Sequence, residues 1–457
     1  SLWGFAQLIF CGVCWIVIFR YKSLIPLMLV FWLIEWSGRL FLYPFIGRAT
    51  VDSGIYSTGN TPGVEGAPYV TILLVIFLIL SLREKNKNIM KQLQSLKSDL
   101  NQSRIVLEQL GEDIQDGEVL LEVEKFSFTA NNVTYGVAGD SIGYWNFFPA
   151  INNPENTWGC IPVWGFAKVI MSNNPEIEHG ERVFGYFPPA NFLIVNPVKV
   201  SSASLSDGKE HRKDLPPVYN NYVRLNAETG YDQSMDDIRA LLFPLHITAF
   251  CLCDALEEQS YDGASQVLIV SASSKTAIGL AQGLAETNDS PKIVGLTSSN
   301  NIQFVESLGC YDQVISYDDL GSINNASSVM VDMSGNQEVL SAVQNKLKEN
   351  LLKCLTVGMT HWDKGGSVDE ALAQAELQDR TEFFFAPAHI QKRIGDWGQE
   401  GYAEKTNAFM AERAEQSNDW MQIKKIKGLD NFSETYKEVV AGNINPNEGI
   451  IVEVYDA

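Results

Sequence analysis

Two groups of residues in this chain have types and spacings suited to chemistry. The first lies in Gln266 to Gly283, QVLIVSASSKTAIGLAQG, where a β-branched apolar run leads into Ser271, Ala272, Ser273 and Ser274, then Lys275 and Thr276. The pattern predicts a buried parallel strand, a tight hydroxyl-rich turn, and a helix over Lys275 to Ala285 whose first N–H groups face an anion such as a phosphate. Gly279 stands where close packing or the approach of a pyrophosphate demands a glycine. Lys275 is placed either to reach a phosphate or to face solvent. The second group is acid–base in character. Tyr135 and Tyr144 lie in a stretch rich in polar and aromatic residues, and His361 stands in the run THWD, two residues before Asp363. Such a histidine serves either as a general acid or as an ordinary loop residue.

The elements that must carry these groups follow from periodicity. Short β-rich runs at Val119 to Val123, Phe126 to Thr129, 167–171, 180–188 and 191–197 alternate with Gly, Pro and Asn, which predicts a curled mixed or all-β lobe. Residues 200–236 hold Pro216, Pro217, Tyr219, Tyr222 and Tyr231 with little periodicity, and read as a lid, an interface or a surface excursion. Apolar runs at 267–270, 292–297, 313–317, 329–333 and 354–358 then alternate with helical segments at 275–285, 300–308 and 336–350. That order predicts a parallel sheet covered by helices on both faces, and GIIVEV at 449–454 is a final strand.

The N-terminal part is different in kind. Leu2 to Phe19, Ser23 to Ile46 and Tyr69 to Leu82 are apolar runs near the length that crosses a bilayer. Arg20 and Lys22 fall after the first, and Arg83, Lys85 and Lys87 follow the third, while the loop 49–68 is poor in positive charge. The positive-inside rule then places the body after residue 83 in the cytoplasm and Ser1 outside, and an additional span before Ser1 would account for that orientation. Glu35 and Arg39, four apart, form a structural ion pair or line a lipid or quinone site. Ile89, Leu93, Leu96, Leu100, Ser103, Leu107 and Leu110 follow a four-and-three spacing, which predicts a linker helix or short coiled coil over 84–111, and with it a homodimer.

Charge narrows the partners. The net charge of the 457 residues is −21, and the first 110 carry 10 Lys and Arg against 6 Asp and Glu, the rest 24 against 49. An acidic body without a basic patch excludes nucleic acid as a partner. The seven cysteines form no disulfide framework, and neither Cys11/Cys14 nor Cys251/Cys253 is joined to a second cluster at zinc spacing, so no metal site is expected.

Residues 112–457 resemble the medium-chain dehydrogenase/reductase superfamily, in its zinc-free quinone-oxidoreductase-like branch, and more narrowly an uncharacterised family within or near it. The resemblance rests on ANNVTYGVAGD (130–140), IPVWGFAKV (161–169), GERVFGYFP (180–188), SASSKTAIG (271–279) and FVESLGCYDQVISYDD (304–319). It implies a Rossmann domain at 246–361 inserted into a GroES-like mixed or β-barrel lobe at 112–245 and 362–457; the transmembrane helices read from the apolar runs at 1–83 lie outside the resemblance. Zinc enzymes of the superfamily carry Gly-His-Glu where this chain has Gly165, Phe166 and Ala167, so the resemblance implies activation without a metal. The second strand ends with Thr297, Ser298, Ser299 and Asn300, neutral where an NAD-specific protein places a carboxylate, which favours NADP(H). By the same resemblance Tyr317 borders the adenine, Gly358 and Met359 border the nicotinamide, and the cleft offers Asn132, Tyr135, Tyr144, Thr360 and His361 for catalysis. Trp145, Phe147, Phe148, Trp158 and Trp164 either give it an aromatic wall suited to a lipophilic small-molecule substrate or fill a large core next to the barrel. The expected function is reduction of a lipophilic carbonyl, enone or quinone beside membrane lipid. The alternatives are a non-catalytic NADP(H) sensor and a membrane-associated scaffold.

Overall fold

The structure is a computed structural model, and it describes residues 2–21, 24–41, 66–84, 89–111, 113–287, 289–357 and 380–455. The chain divides into two compact units, Ser1–Ile89 and Met90–Ala457. In the first, the helices Leu2–Arg20, Ile25–Phe41 and Ala67–Glu84 are 19, 17 and 18 residues long. At about 1.5 Å per residue each approaches the roughly 30 Å of a bilayer's hydrocarbon core. Trp32 donates its indole N–H to Cys14 Sγ at 3.4 Å, and its ring lies 5.4 Å from Phe10. Trp15, Ile16, Leu27, Phe31, Tyr69, Ile72 and Phe77 are exposed. The Arg39 side chain of the Glu35/Arg39 pair lies outside the described residues.

The second unit begins with a correction. Within the expected helix or coiled coil over 84–111, residues 89–109 instead form strands β1 (Ile89–Leu96) and β2 (Asp99–Gln109), joined by a turn at Lys97 and Ser98. The spacing of leucines that satisfied a helix is overridden by tertiary contacts. Gln92, Leu93, Gln94 and Ser95 are buried, with Gln92 Oε1 accepting from Ile151 N and Gln94 Nε2 donating to Ile151 O. The hairpin is thus part of the body, and the reason for expecting a homodimer goes with the coiled coil.

The chain then runs through β3 (Val119–Phe128), β4 (Trp158–Gly159), β5 (Val163–Ser172), β6 (Arg182–Phe187), β7 (Phe192–Val195), β8 (Pro197–Val198), β9 (Ser204–Asp207) and β10 (Asn221–Arg224). It continues through β11 (Gln266–Val270), β12 (Lys292–Thr297), β13 (Gln313–Ser316), β14 (Ser328–Asp332), β15 (Leu351–Thr356), β16 (Thr381–Phe383), β17 (Gln422–Lys427) and β18 (Glu448–Glu453). β4 pairs with β1, and a nine-stranded mixed sheet runs β17-β18-β3-β5-β6-β10-β9-β8 with β7 on β3. Gly165 in β5 is required for this packing, because a Cβ there would lie 2.2 Å from the Lys125 carbonyl oxygen. Its neighbours Phe166 and Ala167 are fully buried in the core.

The other sheet is parallel throughout, in the order β13-β12-β11-β14-β15-β16. It matches the alternation read from the sequence, with the helix Lys275–Ala285 at its expected bounds. The sixth strand, β16, lies beyond the expected domain limit at 361. The other limit, between 245 and 246, falls inside the continuous helix Asp236–Glu258, whose first half packs into the mixed-sheet core and whose second half packs into the parallel-sheet core. Its extension Gln233–Glu258 has the length and composition to cross a membrane, yet 67% of its most apolar 18 residues are buried within this unit.

Candidate functional site

A cavity of about 420 Å³ runs along the carboxyl ends of β11, β12, β14 and β15 and reaches the mixed-sheet lobe. In the parallel sheet the strand order reverses between β11 and β14, and this is where ligands of open α/β sheets bind. Ser271, Ser273, Ser274, Lys275 and Thr276 supply the lining after β11, Thr297 and Ser298 that after β12, and Asp332 and Gly335 that after β14.

The turn after β11 is pinned from several sides. Ser271 takes a positive φ of 64°, and its N–H donates to the Tyr317 hydroxyl at 3.0 Å. Tyr311 donates to Ala272 O at 2.9 Å, and Ser274 Oγ caps the helix by accepting from Ala277 N at 3.4 Å. The N–H groups of Lys275 and Thr276 have no acceptor within the helix and stand at the positive end of its dipole. Ser273 Oγ accepts from Asn301 Nδ2 at 3.1 Å and lies 3.4 Å from Thr297 Oγ1. Tyr317, Ser273, Ser274, Lys275, Thr276, Thr297 and Ser298 therefore come together as expected. Asn300 does not: it is exposed, and Asn301 holds that place because the short helical turn Ser299–Asn301 rotates it inward.

Two further expectations are corrected. Lys275 neither faces solvent nor is free, since its ammonium donates to Pro446 O at 3.0 Å and Glu448 O at 2.7 Å. Burial pulls its pKa down to about 8, against the opposing pull of Glu448. Gly279 makes its close approach to the helix Asp236–Glu258 rather than to the cavity. A Cβ there would lie 2.8 Å from His246 Cδ2 and 3.2 Å from Ala249 Cβ. Burial, followed by the nearby Arg413, brings His246 down to about 3, so the ring is neutral and acts as packing. Gly279→Ala is expected to cost about 1–3 kcal/mol by overpacking, read as a lowered midpoint in thermal or urea unfolding.

The lobe end of the cavity is aromatic. The helix Ala130–Val137 presents Tyr135, whose oxygen accepts from Asn131 Nδ2 at 2.9 Å. Tyr135 and Tyr144 rings lie 4.6 Å apart, and Tyr144 shares a hydrogen bond of 3.1 Å with the Tyr219 hydroxyl. Burial, and then Tyr219, pushes the Tyr135 pKa well above the phenol range; burial and then Tyr135 does the same to Tyr144. Both hydroxyls therefore keep their protons. Asn132 is not a site residue: it is buried, accepts from Thr129 N at 2.8 Å and donates to Pro162 O at 2.9 Å, fixing the start of its helix. Of the expected aromatic wall, Trp164 lines the cavity. Trp145 packs beneath Gly139 and Gly159, Trp158 lies under Arg104, and Phe147 and Phe148 stand behind with Arg212.

Gly358, Met359, Thr360, His361 and Asp363 lie outside the described residues. His389 bonds Asp254 at 2.6 Å, while Lys392 pairs with Glu258 and Arg393 with Asp254, so these side chains serve carboxylates and line no part of the cavity. Sequence reasoning missed Asn131, four residues before Tyr135 on one helical face, a spacing that was there to be read. It also missed Asp332, whose burial raises its pKa and whose carboxylate accepts from Ser334 N at 2.8 Å, Ser334 Oγ at 2.7 Å and Gly335 N.

Comparison with known proteins fits this geometry. Residues 126–445 match the family model described as Protein of unknown function (DUF2855). The chain belongs to the DUF2855 family. No curated protein sequence matches it. Among solved structures, CurA from Vibrio vulnificus in complex with NADPH aligns over 80% of this chain and 100% of its own, at 15% identity and a TM-score of 0.52. A second structure of CurA from Vibrio vulnificus aligns at 13% identity and 0.51, over 80% and 99% of the two chains. A Bacillus thuringiensis protein provisionally assigned as an NADPH:quinone reductase aligns at 14% identity and 0.50, also over 80% and 99%. The DUF2855 body thus has the fold of the medium-chain dehydrogenase/reductase superfamily.

Proposed function

We propose that this DUF2855 protein is a zinc-independent, NADPH-dependent oxidoreductase that reduces a lipophilic carbonyl, enone or quinone. The reading is carried by one observation: a single cavity joins a hydroxyl-lined cradle at the strand-order reversal to a wall of tyrosines and a tryptophan. The cradle suits NADP(H). Lys275 and Thr276 N–H groups at the helix start hold the pyrophosphate, and Ser273, Ser298 and Asn301 meet the ribose phosphate with no carboxylate at the end of β12 to repel it. Bound NADPH supplies a hydride. Tyr135 donates a hydrogen bond or a proton to the substrate oxygen, Tyr144 and Tyr219 exclude water from that end, and the aromatic faces favour an apolar ligand. The solved neighbours support this reading through the NADPH in CurA and the reductase assignment of the Bacillus protein. The three apolar helices of the first unit hold the enzyme at a membrane as a multi-pass anchor, with the body in the cytoplasm, within reach of a substrate dissolved in lipid.

A second reading is a non-catalytic NADP(H) sensor. Lys275 favours it, because its ammonium ties the nucleotide turn to the approach of β18, a link that nucleotide phosphate would compete with.

The test is titration of the full chain in detergent with NADPH and NADH, alongside Ser298→Glu. NADPH is expected to bind more tightly, and the added carboxylate to weaken NADPH by about tenfold or more while leaving NADH nearly unchanged. A folded sample that binds neither nucleotide ends the proposal; NADPH binding without oxidation across carbonyls, enones and quinones favours the sensor. A fragment starting at residue 112 is unsuitable, since it lacks the hairpin that buries Leu93 and Ser95.

A further inference from the structure

Trp164 lies on β5, lines the cavity, and stacks on Phe184 at 5.8 Å and 29°. Its side chain is 6% exposed, and its indole N–H is sealed from water with no hydrogen-bond partner among the described residues. A buried donor left unpaired is uncommon and calls for a physical reason. Trp164 and Tyr135 belong to one ring cluster, since Tyr186 lies 5.1 Å from the indole and 5.7 Å from the Tyr135 ring, and Tyr219 lies 6.1 Å and 6.5 Å from them. The Tyr135 oxygen already accepts from Asn131 Nδ2 at 2.9 Å. A phenol oxygen has two lone pairs and one proton. With one lone pair taken by Asn131, and the unpaired Trp164 N–H the donor in the same ring cluster that could meet the other, the proton is left for an acceptor in the cavity. The box is closed by Tyr144 and Tyr186, whose rings stand 4.6 Å and 5.7 Å from that of Tyr135.

We propose that Asn131 and Trp164 form an N–H clamp on the Tyr135 oxygen, which aims the Tyr135 proton at a carbonyl oxygen of an enone or quinone and steadies the phenolate left when the proton is given. Trp164 is on this account a positioning residue, acting through Tyr135, and its unpaired N–H completes its hydrogen bond when charge appears on the phenol oxygen. The inference rests on the reductase reading and narrows its substrate to a conjugated carbonyl. A hydride added to the conjugated carbon drives an electron pair onto the carbonyl oxygen. The Tyr135 O–H bond breaks, an O–H bond forms on the substrate, and the phenolate regains its proton from water. Substrate, NADPH and one proton thereby give the reduced product and NADP⁺.

The clamp is tested without turnover. The full chain in detergent micelles is titrated, without nucleotide and at mildly alkaline pH, with p-nitrophenolate, a planar oxyanion whose visible absorbance shifts when its oxygen accepts hydrogen bonds. The wild type is expected to bind it with such a shift. Trp164→Phe keeps the aromatic face and removes the N–H, and is expected to weaken binding by about tenfold and to reduce the spectral shift. Phe184→Leu disturbs the same packing and keeps the N–H, so affinity should stay within about twofold. A folded Trp164→Phe protein that binds and shifts the dye as the wild type does overturns the clamp, as does a wild type that does not bind it. NADPH titration of the same samples reads the reductase proposal separately: loss of NADPH binding with the dye result intact removes the cofactor reading and leaves the clamp.

Discussion

Tyr135→Phe is expected to lower the rate of NADPH oxidation by roughly 10²–10⁴-fold, with NADPH affinity unchanged within about a factor of two. The substitution removes one oxygen. The ring contacts with Tyr144 at 4.6 Å and Tyr186 at 5.7 Å remain, so the wall keeps its shape. What is lost is the only bond Asn131 makes to that oxygen, at 2.9 Å, and the proton the oxygen would give. Burial followed by the neighbouring Tyr219 raises the Tyr135 pKa far above its ordinary value near 10, so the hydroxyl stays protonated and, while its oxygen accepts from Asn131, keeps a proton to donate. The rate should therefore show no alkaline fall from this group in the ordinary phenol range. Single-turnover NADPH oxidation with a panel of enones and quinones measures the difference. If Tyr135→Phe turns over as fast as the wild type, the tyrosine only packs and the proton must come from elsewhere.

How legible the site was depends on which contacts make it. The parallel sheet could be read because its central strands are buried on both faces and appear as apolar runs, VLIV and IVGL among them. Ser274 announces the helix that follows by capping it. The hairpin at 89–109 could not be read that way. Its buried Gln92 and Gln94 are satisfied by Ile151, whose position 57 or more residues away leaves no local trace, and the leucine spacing alone pointed to a helix. Asn131 and Asn132 show the same limit at single-residue scale. Both were visible as polar residues before Tyr135, but only the pitch of the helix separates the one that meets the tyrosine from the one that caps the helix. Tyr219 came from the insertion at 200–236, where no periodicity marks an inward-facing residue, and what turns it inward is a buried ion pair.

That pair makes Asp207→Ala the second large effect, an expected loss of about 3–5 kcal/mol. Asp207 and Arg212 are each 1% exposed at the side chain, and their charged atoms meet at 2.7 Å. Asp207 Oδ1 also accepts from Asn196 N at 2.9 Å and Lys209 N at 3.1 Å. The guanidinium bonds Tyr222 Oη at 3.1 Å and Tyr219 O at 2.9 Å, and lies 4.7 Å over the Phe148 ring. Removing the carboxylate leaves a full positive charge in a hydrophobic core with no counter-ion. Because Arg212 grips the Tyr219 carbonyl, the turn Pro217–Asn220 that delivers the Tyr219 hydroxyl to Tyr144 loosens with it, and ligand affinity should fall along with stability. Thermal unfolding of the full chain in detergent, followed by tryptophan fluorescence, measures the first effect, and the double change Asp207→Ala with Arg212→Met separates its causes. Removing both charges should recover much of the lost stability without restoring the hold on Tyr219, whereas a double variant as unstable as the single would assign the cost to packing. An unchanged midpoint for Asp207→Ala would mean that the guanidinium finds water or another acceptor, and that the pair does not set the position of Tyr219.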